Sequence, residues 1–263
     1  MSEVFFADVA WRGQMLKLEC QWIGPRHDDD NAPTIVFLHE GLGSLAMWKD
    51  FPERLCRAAG LRGLVYSRPG YGCSTPREPD ERWPVRFMHE QAFEVLPVLL
   101  RQLGLARPWL FGHSDGGSIA LLHASALPTA GVVAVAAHVF TEEFGLRSIE
   151  AARLAYETTD LRDRLARYHA DVDSAFRGWN DIWLDPAFRA WNIEAELGAI
   201  DCPVLVVQGE DDEYGTLEQV HRIARHVKHA KTLVLPACGH SPHRDQPDRL
   251  IAETGAFIRH PRI

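Results

Sequence analysis

Apolar residues fall in two rhythms along this chain, and the switch between them marks the elements. Apolar and polar positions alternate over residues 3–10 and 14–22, which predicts an opening pair of strands. A polar stretch rich in turn formers, Gly24-Pro25-Arg26-His27-Asp28-Asp29-Asp30-Asn31, predicts a loop. Short apolar runs then predict buried strands at Thr34–Leu38, Leu64–Tyr66, Trp109–Phe111, Val132–Ala136, Pro203–Gly209 and Thr232–Leu235. Helical patterns at His89–Leu103 and Gly116–Ala126 lie between them. Buried strands alternating with amphipathic helices predict an α/β fold with a mainly parallel twisted sheet and helices on both faces.

From residue 140 to 197 the rhythm changes. No strand-like run occurs there, and helical stretches rich in Arg, Glu and aromatic residues dominate. Tyr168, Phe176, Trp179, Trp183, Phe188 and Trp191 crowd the carboxyl half of this segment. Large aromatics at helical spacing ordinarily pack into a core. With so many in one segment, at least one is expected to line a pocket, with Trp179 and Trp183 as candidates. An apolar or aromatic portion of a small-molecule substrate would fit such a wall.

The chemistry is concentrated at three strand ends. Gly112-His113-Ser114-Asp115-Gly116 follows the apolar run Pro108–Phe111 and precedes a helical stretch. This is the G-x-S-x-G arrangement of a nucleophile elbow, in which glycines flank a serine held in a sharp strained turn. Beyond the strand ending at Gly209, four acids stand in a row, Glu210, Asp211, Asp212 and Glu213. Beyond the strand ending at Leu235 comes a loop with His240 and His243. Serine, acid and histidine therefore follow in the order that a serine-hydrolase sheet edge requires. A serine hydroxyl is a poor nucleophile near neutrality, and a histidine with an ordinary pKa of about 6.5 can take its proton and return it to a leaving group.

On these residues the chain resembles the α/β-hydrolase fold superfamily, serine-nucleophile branch, over nearly everything from Thr34 to the last helix except the middle segment. The resemblance implies an α/β-hydrolase core formed by 1–139 and 198–263, with 140–197 inserted after the sixth strand as a helical lid. It places the acid at Asp212, with Asp211 as the lesser possibility, and the base at His240, not His243. One oxyanion donor is the backbone N–H of Asp115; the other belongs to the loop His39-Glu40-Gly41-Leu42-Gly43-Ser44. That loop resembles the family's H-G-x-G pattern with Glu40 inserted, so the second donor is the amide of Gly41 or of Leu42. A further landmark, Ser67-Arg68-Pro69-Gly70-Tyr71-Gly72-Cys73-Ser74, has Ser67 where relatives often carry Asp, and is read as a glycine-rich turn.

Composition narrows the classes. A chain of 263 residues with 46% apolar content suffices for one sizeable domain. A net charge of −8, from 36 acidic and 28 basic residues, argues against nucleic acid as a partner. Five scattered cysteines without a C-x-x-C pair indicate neither a disulfide framework nor a zinc site, and a reducing, cytoplasmic setting is expected. The acidic amino terminus does not read as a signal peptide, and no apolar run approaches the roughly 20 residues of a membrane span. No metal or cofactor is expected, and the oligomeric state is left open.

The favoured function is a serine hydrolase cleaving a carboxylic ester, lactone or thioester through an acyl-enzyme on Ser114. Carbon–carbon bond hydrolysis or perhydrolase chemistry on the same fold is an alternative. A non-catalytic ligand-binding receptor on this scaffold is an alternative of another class, although such proteins often lose a triad member. His138 lies where it either touches substrate or serves as a hydrogen-bonded structural histidine. His113, within the elbow, reads as a packing support. Arg147, Arg153, Arg162, Arg164 and Arg167 either recognise a substrate carboxylate or lie on solvated helix faces. Cys238 is a weak rival nucleophile, since no glycine elbow surrounds it.

Overall fold

Within each central strand, successive side chains part to opposite apolar clusters. Val36, Leu64, Leu110, Val132, Ala134, Val204 and Val206 join one, and Ile35, Phe37, Val65, Phe111, Val133, Leu205 and Val207 join the other. That period-two division is what a sheet buried on both faces demands. The computed structural model describes residues 3–24, 33–78 and 80–261, so most of the polar loop expected at Gly24–Asn31 lies outside the described residues.

Among the described residues there are eight strands: β1 Val4–Trp11, β2 Gln14–Ile23, β3 Thr34–Leu38, β4 Arg62–Tyr66, β5 Trp109–His113, β6 Gly131–Val135, β7 Val204–Gly209 and β8 Ala230–Leu235. Their order is β1-β2-β4-β3-β5-β6-β7-β8. The pairs β1/β2 and β2/β4 are antiparallel, and every pair from β3 to β8 is parallel. The mainly parallel sheet expected from the sequence is therefore present, with the hairpin β1–β2 as its antiparallel margin.

Helices cover both faces. Phe51, Leu55, Leu250 and Phe257, from helices Phe51–Ala59 and Pro247–Arg259, pack against one face. Ile119 and Leu122 of helix Asp115–Ala126 and Val220 of helix Glu218–His226 pack against the other. The helix expected at His89–Leu103 runs from Phe87 to Gln102, with a π-helical turn at Gln91–Val95. Pro97 has no N–H for the carbonyl four residues back, which accounts for the widened turn ahead of it.

Between β6 and β7 the chain is helical, at Glu143–Thr158, Leu161–Leu165, Val172–Trp183 and Glu194–Leu197, with a 3-10 turn at Pro186–Ala190. Asp171 caps the third of these by accepting from Ser174 N at 2.8 Å. Phe176, Trp179, Trp183, Phe188 and Trp191 of this segment belong to the same apolar cluster as one sheet face. Their rings pack edge-on and stacked, Phe188 on Trp191 at 5.2 Å between centroids.

Candidate active site

Strand β5 ends at His113 and a helix begins at Asp115, so one residue turns the chain. Ser114 does so at φ 53°, ψ −118°, a left-handed conformation that costs an ordinary side chain about 1–3 kcal/mol. Its backbone is held on both sides: its N–H donates to Val135 O at 2.8 Å, and its carbonyl accepts from Gly117 N at 2.8 Å. Main-chain crowding dictates the flanking glycines. A Cβ on Gly112 would lie 2.1 Å from Gly116 O, and one on Gly116 would lie 2.1 Å from Leu38 O. The turn therefore projects Ser114 into a cavity of about 270 Å³.

The acid and the histidine arrive from β7 and β8. A Cβ on Gly209, the last residue of β7, would meet Cys238 O at 2.1 Å, so the two strand-end loops touch. Asp212 is buried, and its Oδ1 accepts from Tyr214 N at 2.8 Å and from His240 Nδ1 at 2.8 Å. A carboxylate only accepts, so Nδ1 carries the hydrogen and Nε2 is the ring's basic nitrogen. Glu213 adds a hold on the main chain, its Oε2 accepting from His240 N at 3.1 Å. Asp211 is exposed, so of the two aspartates Asp212 is the one against the ring.

Electrostatics follow from this contact. Burial alone would raise the Asp212 carboxyl, but the hydrogen bond and charge of His240 hold it below the usual carboxylate value. Burial pushes the His240 ring down, and Asp212, aided by Glu213 and Glu40, outweighs it, leaving the ring above the ordinary histidine value. Ser114 and His240 line the same cavity; among the described residues no hydrogen bond joins the hydroxyl to the ring.

The loop after β3 makes the facing wall. Gly43 N donates to Glu40 O at 3.0 Å, closing a turn whose two central amides, Gly41 and Leu42, are left out of the closing bond. A Cβ on Gly41 would strike the Trp179 ring at 2.1 Å, so this loop and the helical segment are in direct contact. The Asp115 amide opens its helix, where an N–H has no intrahelical acceptor. The Asp115 side chain does not line the cavity: it is buried behind the elbow, accepting from Trp183 Nε1 at 3.1 Å. Burial raises its carboxyl, against the pull of Arg68.

Arg68 was hidden in what the sequence offered only as a glycine-rich turn. Gly70 and Gly72 do adopt positive φ there, at 87° and 59°. The guanidinium of Arg68 is buried, donating to Glu40 O at 2.9 Å and lying 3.7 Å from Asp115 Oδ2. One cation thus ties the β3 loop to the elbow. Ser67 donates to Glu19 Oε2 at 2.7 Å, so a carboxylate reaches this turn from β2.

The remaining candidates divide cleanly. Trp179, Trp183 and His138 line the cavity; Phe176, Phe188 and Trp191 do not. His138 is pushed down to about 3 by burial, with His240 adding to the effect, so it stands as a neutral ring. None of the five arginines singled out from the helical segment lines the cavity. Arg153 holds Asn180 and Asp181, Arg162 holds Asp173, and Arg164 lies 3.2 Å from Asp160. The arginine that does line it is Arg244, four residues past His240, which the sequence reading missed together with Glu142, Glu213 and Tyr214. Cys238 is buried and its thiol is pushed up to about 11 by burial, the opposite of what a nucleophile needs. Among the described residues no group of three or more His, Cys, Asp or Glu side chains is placed to hold a metal ion, and no helix is long and apolar enough to cross a membrane.

The chain matches the alpha/beta hydrolase family over residues 35–253. It is 24% identical over 254 residues to 2-succinyl-6-hydroxy-2,4-cyclohexadiene-1-carboxylate synthase of Enterobacter sp. (strain 638), covering 86% of this chain and 92% of that one. It is 25% identical over 238 residues to the 2-hydroxy-6-oxononadienedioate/2-hydroxy-6-oxononatrienedioate hydrolase of Cupriavidus pinatubonensis (strain JMP 134 / LMG 1197), covering 80% and 81%. Among solved structures, the enol-lactonase from Burkholderia xenovorans LB400 superposes with a TM-score of 0.73 at 22% identity, covering 97% of this chain and all of that one (100%).

Proposed function

Since this chain belongs to the alpha/beta hydrolase family, we propose that it is a serine hydrolase that cleaves an ester-type bond, a carboxylic ester, lactone or thioester, of a small and partly apolar substrate. The observation that carries this reading is the 2.8 Å contact of Asp212 with His240 Nδ1 on the wall of the cavity into which Ser114 is turned. Ser114 Oγ attacks the acyl carbon while His240 Nε2 takes the hydroxyl proton. Asp212 keeps the ring in the tautomer with Nδ1–H and stabilises the imidazolium without itself being protonated. The oxygen that gains negative charge is met by the Asp115 amide and by Gly41 or Leu42. The leaving group departs with the proton from His240, and water, activated by the same nitrogen, releases the acid and restores Ser114.

Residues 140–197 act as the lid over this cavity, with 1–139 and 198–263 as the catalytic core. Trp179, Trp183, Leu42, Met47, Ile149 and Leu165 give the cavity an apolar side suited to an acyl or alcohol chain. The test is a fluorophosphonate probe with mass mapping: one label per chain on Ser114, and none in Ser114→Ala. A chain that takes no label at all would instead be a ligand-binding protein on this scaffold.

A further inference from the structure

Glu40 stands where the H-G-x-G pattern has no side chain, and its carboxylate folds back into its own loop. A Cβ on Gly43 would lie 2.4 Å from Glu40 Oε2, so glycine at 43 leaves the room that the carboxylate fills. There Oε2 lies 3.4 Å from His113 Nδ1, and Oε1 lies 3.6 Å from Arg244 Nη2. On its other side, His113 Nε2 donates to the carbonyl oxygen of His240 at 2.7 Å. A carbonyl only accepts, so the hydrogen on Nε2 is fixed. The result is a chain of contacts from Glu40 through the His113 ring to the main chain of His240, beside the grip that Asp212 has on the His240 ring.

We propose that Glu40 and His113 are positioning residues for His240: the His113 Nε2–H holds the main chain of the general base, and the Glu40 carboxylate faces the other ring nitrogen at 3.4 Å. Both residues border the cavity; His113 is buried, and its ring centroid lies 5.1 Å from that of His240 and 4.8 Å from that of His243. The groups facing Glu40 are His39, His113, His243 and Arg244, with Arg68 on its carbonyl and His169, Asp115 and His240 also within its field. Those facing His240 are Asp212, Glu213, Glu40, His113, His138, His243, Tyr214 and, behind the elbow, Asp115. Burial alone would raise the Glu40 carboxyl; His113, with His243 and His39, outweighs it and holds the group well below the usual range. Its negative charge in turn favours the protonated ring of His240. A base displaced by a fraction of an ångström loses rate without losing substrate affinity.

This inference rests on the Ser114–His240–Asp212 reading, and the experiment separates the two. Glu40→Gln keeps the shape and removes the charge. On a nitrophenyl ester, kcat is expected to fall about tenfold with KM within about twofold, and the pH midpoint of kcat/KM to move down. Glu40→Asp recovers part of the rate. His113→Gln keeps a donor toward the His240 carbonyl but breaks the link to Glu40, so adding Glu40→Gln to it costs little more. If kcat and the pH midpoint of Glu40→Gln match the parent, or if the only change is a lower melting temperature with unchanged kinetics per folded molecule, the proposal is overturned while the hydrolase reading stands. Ester turnover that survives Ser114→Ala overturns the hydrolase reading and this inference with it.

Discussion

The carboxyl edge of the sheet and the helices opposite it form two walls of one cavity, built by different means. At the sheet edge, main-chain atoms set the positions: Gly112, Gly116 and Gly209 each have a backbone oxygen 2.1 Å from where a Cβ would stand. On the helical wall side chains do most of this, with one main-chain exception: a Cβ on Gly145 would stand 2.1 Å from Tyr214 O. Ile149, Leu165, Trp179 and Trp183 fill volume, and the tight contact at Gly41 is with an indole ring, not with backbone. A wall fixed by steric exclusion tolerates no substitution, whereas a wall made of packed side chains can be cut anew at modest cost. On the serine-hydrolase reading, the reaction is expected to depend chiefly on the first wall and the choice of substrate on the second.

Asp212→Asn is the largest test of that division. It is expected to lower kcat by about 10⁴-fold with the fold intact, because the amide favours the wrong tautomer of His240. Asp211→Asn, at an exposed position, is expected to stay within about twofold of the parent; a crippled Asp211 variant would put the acid one residue away. Gly116→Ala comes next. Its methyl meets Leu38 O, so a stability loss of about 3–5 kcal/mol in chemical denaturation is expected. Trp183→Phe sharpens the contrast from the other side. It keeps most of the packing but removes the hydrogen bond to buried Asp115, so a loss of about 1–3 kcal/mol in stability and a change in preferred acyl length are expected. Were Trp183→Phe to lower kcat as far as Asp212→Asn, the two walls would not divide reaction from selection.

The same contrast explains what could be read before the structure. Gly112, Ser114 and Gly116 announced the elbow because main-chain crowding leaves glycine as the residue that fits, and the apolar runs announced the central strands because both sheet faces are buried. The strand ends brought four acids and two histidines into view, and the family resemblance chose Asp212 and His240 among them. Arg68 and Arg244 gave no such signal, and Glu40 stood out only as an insertion in the loop after β3, with nothing local to say what it would face. A buried arginine bridging Glu40 O and Asp115 is set by contacts across 28 and 47 positions of chain, and nothing local distinguishes it from a solvated one. The five arginines of the helical segment drew attention for composition alone; Arg153, Arg162 and Arg164 turn out to hold acids and an amide, and Arg147 and Arg167 are exposed. Likewise the aromatic stripe could name Trp179 and Trp183 only as two among six, since helical spacing does not say which face of a helix meets a cavity.

Acidity offers the smallest effect and ties Asp212 and His240 together. His240 must be neutral to accept the Ser114 proton, and its ring sits above the ordinary histidine value because Asp212, Glu213 and Glu40 outweigh burial. On the hydrolase reading, kcat/KM on a nitrophenyl ester should rise with pH through a midpoint above about 6.5 and then level off. A profile flat from pH 5 to 9 would sink the assignment of His240 as base. The linked stability runs the other way. A group whose pKa is raised by folding contributes stability that is full below its unfolded value, about 6.5, and is lost as pH climbs through the folded one. Asp212, held below its usual value, contributes above the unfolded carboxylate range and loses this only as pH falls through its folded pKa. Between pH 6 and 9 the protein is therefore expected to gain activity while the share of its stability due to His240 declines. In Asp212→Asn, with the main support of the charged ring removed, both the residual activity profile and this decline move to lower pH, which paired rate and melting measurements at each pH would show.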